Sequence, residues 1–198
     1  MKRTIACLFL AAALAPAETL TLTSAGPAND GVFFTGFYGL TVANPPTTPQ
    51  PILGLCLSAA VEINVGYSWN ATLLSLTDYE TVAGLTAQQG DELAYLWTQI
   101  AAAPTPAMSD AVWTIAGVPV NNAGASDVAF WVNQASLNYA SIDPNRFQVW
   151  TSQNSSGALD LTVSQPFMVD ALPPAPEPAT FLLAGFVLLG LGWRRKLV

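Results

Sequence analysis

The sequence contains no histidine and few cysteines, and each of these absences excludes a class of chemistry. Without histidine there is no Ser-His-Asp triad, no imidazole ligand for zinc and no ordinary general base near neutral pH. One of the two cysteines, Cys7, lies in an apolar N-terminal segment, which leaves Cys56 in the body of the chain. A single cysteine can form neither an intramolecular disulfide nor a thiolate metal cluster. We therefore expect no metal and no cofactor.

Basic residues are also scarce, and they are concentrated at the two ends of the chain. Between Glu18 and Pro178 there is one basic residue, Arg146, against thirteen acidic residues, a formal net charge of −12. Nucleic acids bind proteins chiefly through lysine and arginine, so a nucleic-acid partner is excluded.

The most specific pattern is at the C-terminus. Pro176-Glu177-Pro178 cannot continue a helix, because proline fixes φ and lacks an N–H. Residues 180–193 form an apolar run, and the basic residues Arg194, Arg195 and Lys196 follow it. The run is shorter than the ~20 residues of an ordinary membrane span, which argues against a permanent tail anchor. The basic cluster would remain on the cytoplasmic side.

This order of linker, Pro-Glu-Pro, apolar helix and basic cluster resembles the PEP-CTERM sorting signal of exported bacterial proteins. The resemblance implies transient anchoring in the inner membrane and processing by an enzyme of the exosortase type. It also implies a final location at the cell surface or in the extracellular matrix, with exopolysaccharide as a further partner.

The N-terminus has the three parts of a signal peptide. Lys2 and Arg3 precede an apolar stretch, and Ala15-Pro16-Ala17 has the small-x-small pattern of a cleavage site. Cleavage by signal peptidase after Ala17 would make Glu18 the first residue of the mature protein. The apolar stretch is too short for a membrane anchor.

The pattern predicts a signal peptide (1–17), one domain (18–170), a proline-rich tether (171–179) and a hydrophobic sorting helix with a basic tail (180–198). The domain is expected to be α+β, with an antiparallel β-sandwich or barrel and a helical insert of about three helices. Predicted strands cover 19–23, 32–42, 52–58, 60–65, 69–76, 146–151, 158–164 and 166–170. Predicted helices lie near 86–100, 105–115 and 126–140.

Two segments of the body resemble bacterial thioester domains. Gly54-Leu55-Cys56-Leu57-Ser58 lies in a predicted strand, and Met108-Ser109-Asp110-Ala111-Val112-Trp113 in a predicted helix. The resemblance implies an internal bond between a cysteine and a glutamine, with Cys56 as the cysteine. The position that would carry glutamine in the helical motif holds Ser109, which has no carboxamide. Cys56 and Ser109 are therefore degenerate thioester positions, and Cys56 is expected to be a buried, free thiol near Trp113.

These patterns favour a non-enzymatic protein of the cell surface or exopolysaccharide matrix. One alternative is a thioester-type adhesin that uses Cys56. Another is an acidic domain that binds or hydrolyses glycans, for which the sequence offers the carboxylate pairs Asp78/Glu80 and Asp91/Glu92.

Overall fold

A computed structural model describes residues 18–43 and 49–171 of the chain. Its strands are β1 (Glu18–Ser24), β2 (Ala28–Asn29), β3 (Phe34–Thr35), β4 (Phe37–Ala43), β5 (Gln50–Cys56), β6 (Ser68–Ser75), β7 (Phe147–Ser152) and β8 (Phe167–Asp170). Its α-helices are α1 (Leu76–Ala83), α2 (Ala87–Ala102), α3 (Pro106–Ile115) and α4 (Ala125–Asn138), and 3₁₀ turns lie at Tyr139–Ser141 and Pro144–Arg146.

Six strands close into an antiparallel barrel in the order β1-β4-β5-β8-β7-β6, and β6 pairs with β1. Closure gives each strand a neighbour on both sides, although β5 and β8 pair only at Leu55 and Cys56 of β5. The expected α+β class with an antiparallel barrel is confirmed. The predicted C-terminal hydrophobic helix lies outside the described residues.

The barrel interior is filled by alternate residues of the strands, because successive side chains of a strand point to opposite faces. Leu20 and Leu22 of β1 and Leu40 of β4 are buried, as are Val149 of β7 and Phe167 of β8. Gly54 allows close packing at this point, because a Cβ there would lie 2.6 Å from Leu40 Cδ1 and 3.0 Å from the Phe167 Cβ.

The four helices are inserted between β6 and β7. The predicted capping box of α2 is present: the Thr86 hydroxyl accepts from the Gln89 N–H, and the Gln89 side chain accepts from the Thr86 N–H. α3 begins at Pro106, as predicted. Among the described residues, no helix has the length and apolar character needed to cross a membrane.

The insert contains a helix that was not predicted. α1 replaces the end of the predicted strand 69–76, and Ser75 caps it by accepting a hydrogen bond from the Asp78 N–H at 3.1 Å. Ser75 and Asp78 have the spacing of a helix N-cap, but the alternating pattern of residues 69–76 predicted a strand there instead.

Two predicted strands, 60–65 and 158–164, are wrong. Residues 60–65 form a loop, and residues 158–164 contribute only an isolated bridge between Gln153 and Leu159. The barrel supplies the physical reason. Every barrel strand already has a neighbouring strand on each side, so neither segment is incorporated as a further strand between two of them.

The predicted strand 32–42 is interrupted rather than continuous. Gly36 has φ +89°, a conformation that residues with a Cβ rarely adopt, and it separates β3 from β4. β3 turns back to pair with β2. The resulting β2–β3 hairpin (residues 28–35) lies beside the barrel and forms part of the site described below.

Candidate functional site

Most residues predicted to direct export lie outside the described residues. They are Pro176, Glu177 and Pro178 of the sorting motif, Ala15 and Ala17 of the cleavage site, and Arg194, Arg195 and Lys196 of the basic tail. Glu18 is the first residue of β1, where it pairs with Ala71 of β6. The predicted cleavage site therefore directly precedes a strand of the barrel.

Cys56 is the last residue of β5, and only 1 % of its surface is exposed. The indole N–H of Trp113 donates a hydrogen bond of 3.0 Å to the Cys56 carbonyl oxygen, so the expected proximity to Trp113 is observed. The Cys56 thiol lies 3.1 Å from the Ser58 carbonyl oxygen and 3.2 Å from Gln165 Oε1. Burial raises the pKa of the thiol to about 12, which keeps it protonated.

Gln165 is brought to Cys56 by the pairing of β5 with β8. Cys56 is opposite Phe167 in this ladder, and the Leu57 N–H donates to the Pro166 carbonyl oxygen at 3.0 Å. The Gln165 amide nitrogen donates to the carbonyl oxygen of Val61. This bond directs the Gln165 amide nitrogen toward the loop after β5 and leaves Gln165 Oε1 facing the Cys56 sulfur.

Ser109 of α3 is buried and bonded to the backbone. Its hydroxyl accepts a hydrogen bond of 3.0 Å from the Gly36 N–H, at the break between β3 and β4. Ser109 thus fixes α3 to the base of the hairpin. Trp113, one turn further along α3, carries the contact with Cys56.

Gln165 was not singled out from the sequence, which has other glutamines, among them Gln88 and Gln89. In the structure the side chain of Gln88 bonds Glu92 at 2.8 Å, and that of Gln89 serves the capping box and the Ile115 carbonyl. Gln165 is 109 residues from Cys56 in the chain. No local pattern connects two residues so far apart.

Next to Gln165 is a cavity of about 560 Å³. Its lining includes Trp113 of α3, Tyr38 of β4, Phe33 of the hairpin and Glu62 of the loop after β5. The ring of Phe33 packs edge-on against that of Trp113, with a centroid distance of 5.5 Å. The cavity therefore has aromatic walls, and the Gln165 carboxamide lies at its surface.

Two carboxyl groups, Asp30 and Asp110, fix the hairpin to the helices. Asp30 Oδ1 accepts from the Val32 and Phe33 N–H groups at 2.7 and 2.6 Å, and Asp110 Oδ2 accepts from the Ala123 N–H at 2.9 Å. The Asn122 amide donates a hydrogen bond of 3.2 Å to Asp30 Oδ2, which joins the hairpin to the segment after α3. The carboxyl groups of Asp30 and Asp110 lie close enough for each to affect the pKa of the other.

The two carboxyls have shifted pKa values. Burial, together with the neighbouring Asp30, raises the pKa of Asp110 to about 6. Burial acts in the same direction on Asp30, but the backbone N–H groups of Phe33 and Val32 overcome it and lower the pKa of Asp30. Asp110 is therefore the protonated partner below about pH 6.

The acidic pairs considered for glycan chemistry have partners within the helical insert. Asp78 accepts a hydrogen bond from the Ser75 hydroxyl at 2.6 Å, and Glu92 accepts from Gln88. Burial, with a further contribution from Asp91, raises the pKa of Glu80. Within residues 18–43 and 49–171, no group of three or more acidic or cysteine side chains could hold a metal ion.

Comparison with known proteins identifies the tail. Residues 174–196 match the family model described as the PEP-CTERM protein-sorting motif. The match implies export, anchoring in the membrane through the C-terminus and processing by an exosortase-type enzyme. No curated protein and no solved structure matches the chain, so the comparisons do not support a thioester-like body.

Proposed function

We propose that this chain is a non-enzymatic protein that is exported, sorted through its C-terminal tail and retained at the cell surface or in the exopolysaccharide matrix. The match of residues 174–196 to the PEP-CTERM motif is the observation that carries this proposal. Signal peptidase and an exosortase-type enzyme are the processing partners, and the inner membrane holds the chain only until the tail is removed.

The charge and the fold of the exported domain support a surface location. With one arginine against thirteen acidic residues between Glu18 and Pro178, the domain carries a strong negative charge, which favours solubility outside the cell and disfavours binding to anionic membranes. Because the barrel is closed, each of its strands has a neighbour on both sides, which limits edge pairing between copies. The absence of histidine and the structural roles of Asp78 and Glu92 support a non-enzymatic domain.

The proposal is tested by replacing Pro176-Glu177-Pro178 with three alanines and following the chain through cell fractionation. We expect the variant to keep its C-terminal residues and to accumulate in the membrane fraction, whereas the native protein appears at the surface or in the matrix. Pro173→Ala, one residue before the matched segment, is the matched control. A triple variant with the native location and the native C-terminus would contradict the proposal.

A further inference from the structure

We propose that an apolar groove between Leu53 of β5 and Trp97 of α2 binds the proline-rich tether of the same chain, so that residues 172–176 lie against the barrel. The contact itself does not depend on how the tail is processed. Its consequence for the Pro-Glu-Pro motif, given below, rests on the proposed function.

The β5–α2 groove begins where two neighbouring strands of the barrel separate. β5 and β8 pair at Leu55 with Met168 and at Cys56 with Phe167, and the structure describes no ladder between them beyond these two pairs. β5 nevertheless extends back to Gln50. Part of its edge, from Pro51 to Gly54, therefore faces the end of β8 without pairing to it. A proline within a strand is itself typical of such an edge, because proline has no N–H to donate to a ladder.

The walls of the groove are largely apolar. It has a volume of about 630 Å³, and its lining includes Phe37, Ile52, Leu53, Trp97, Ala101 and Val169. Leu53 is 62 % exposed. A single exposed leucine is ordinary, but this one borders a continuous apolar groove, which is typical of a surface that another segment covers.

The aromatic wall of the groove is held in place by the fold. Phe37 packs edge-on against the Trp97 ring at a centroid distance of 4.9 Å, and Phe147 packs against it at 5.4 Å. The guanidinium carbon of Arg146 lies 5.9 Å from the centroid of the same ring. Because these contacts already fix the indole, binding a segment in the groove does not require ordering its wall.

The position of the tether identifies it as the occupant. Ala171 lines the groove, and its N–H donates a hydrogen bond of 2.8 Å to the Arg146 carbonyl oxygen, which fixes the point where the tether begins. Leu172 follows directly. A segment that begins inside a groove has a high effective concentration there, which favours it over a separate partner.

The composition of the tether also fits the groove. Leu172 offers an aliphatic side chain, and the following residues are Pro173-Pro174-Ala175-Pro176. Proline-rich segments with a Pro-x-x-Pro spacing adopt the polyproline II conformation and dock in aromatic-lined grooves. At about 3.1 Å per residue the five residues 172–176 extend about 15 Å, which is shorter than β5, whose seven residues extend about 23 Å at about 3.3 Å each.

Docking of the tether sets the distance between the barrel and the membrane before processing. Residues 177–179 alone separate the docked segment from the apolar run that begins at residue 180, a reach of about 10 Å in an extended chain. The Pro-Glu-Pro motif is then presented to the processing enzyme beside β5.

The test is a disulfide cross-link in the full-length exported chain, purified in detergent. If the register of β5 and β8 continues, position 172 comes opposite position 51. Opposite residues of an antiparallel pair have Cα atoms about 4.5 to 5.5 Å apart, which suits a disulfide. We expect the double variant Pro51→Cys with Leu172→Cys to form an intramolecular disulfide under mild oxidation, detected by mass spectrometry of the linked peptides. Cys56 is 1 % exposed and does not compete.

Two further double variants complete the experiment. Leu53→Cys with Leu172→Cys should also cross-link, so the result does not depend on replacing a proline. The matched control is Leu137→Cys with Leu172→Cys, since Leu137 is 70 % exposed on α4, which contributes no residue to the groove. Its disulfide yield should be several-fold lower.

Adding Leu53→Asp to the Pro51→Cys, Leu172→Cys variant should lower the yield several-fold, because a carboxylate replaces an apolar wall of the groove. Yields at positions 51 and 53 no higher than at position 137 would overturn the proposal. A disulfide-linked dimer would overturn it as well, because the groove would then hold the tether of a second copy. Sorting is read from the location and C-terminus of the chain, so either result can fail without the other.

Discussion

The buried carboxyl group of Asp110, which lies beside that of Asp30, makes the stability of the domain depend on pH, and Asp110→Asn tests this directly. Asp110 is fully buried, and among the described residues its Oδ1 has no hydrogen-bond partner. A carboxamide at this position is uncharged and can accept from the Ala123 N–H, so it stands in for the protonated carboxyl at every pH.

The size of the effect follows from the pKa of Asp110, which burial and the neighbouring Asp30 raise from 3.8 to about 6 on folding. A group whose pKa is raised on folding stabilises the native state below its ordinary pKa, and that contribution is lost as pH rises through the folded pKa. For Asp110 the loss falls between about pH 4 and pH 6. Between about pH 4.5 and about pH 7.5 it amounts to about 2 kcal/mol.

Urea denaturation at these two pH values is the assay. The stability of Asp110→Asn relative to that of the native protein should be greater at the higher pH than at the lower pH by about 2 kcal/mol. Glu62→Gln removes an exposed carboxylate and should change the stability by no more than about 0.5 kcal/mol. An equal difference between Asp110→Asn and the native protein at both pH values would refute the raised pKa of Asp110.

Two further substitutions test the packing around the site. Gly54→Ala should destabilise the domain by about 1 to 3 kcal/mol, measured by urea denaturation, because the new Cβ would lie 2.6 Å from Leu40 Cδ1; an unchanged midpoint would contradict this packing. Trp113→Phe should cost about 1 to 3 kcal/mol beyond the loss of ring volume, because it leaves the buried Cys56 carbonyl without its donor. The control is Trp97→Phe, since the indole N–H of Trp97 has no hydrogen-bond partner, and equal costs for the two variants would count against the bond.

Local signals predicted three of the four α-helices, and α1 was missed. The capping box at Thr86 and Gln89 and the proline at position 106 define helix starts through contacts within a few residues, so the sequence alone is enough for α2 and α3. Strands were predicted less reliably. The segment 60–65 alternates like a strand, but an alternating pattern becomes a strand only where another strand pairs with it, and every barrel strand already has a neighbour on each side.

The residues of the candidate site were likewise predicted only where a local motif contains them. Cys56 and Trp113 were identified from the motifs in which they lie, whereas the bond between Ser109 and the Gly36 N–H joins two segments that no local pattern connects. Gln165 was missed. Its contact with Cys56 is produced by the pairing of β5 with β8, whose strands are separated by the helical insert and by two other strands.

The sequence by itself determined the sorting tail and the charge of this protein. A sorting motif is recognised as a linear order of residues, and net charge is a sum over residues, so neither requires a folded chain. Only the tertiary structure decided that Gln165 lies against Cys56 and that the buried carboxyl of Asp110 lies beside that of Asp30. Both contacts join residues far apart in the chain, and such contacts form only when barrel closure and helix packing bring the segments together.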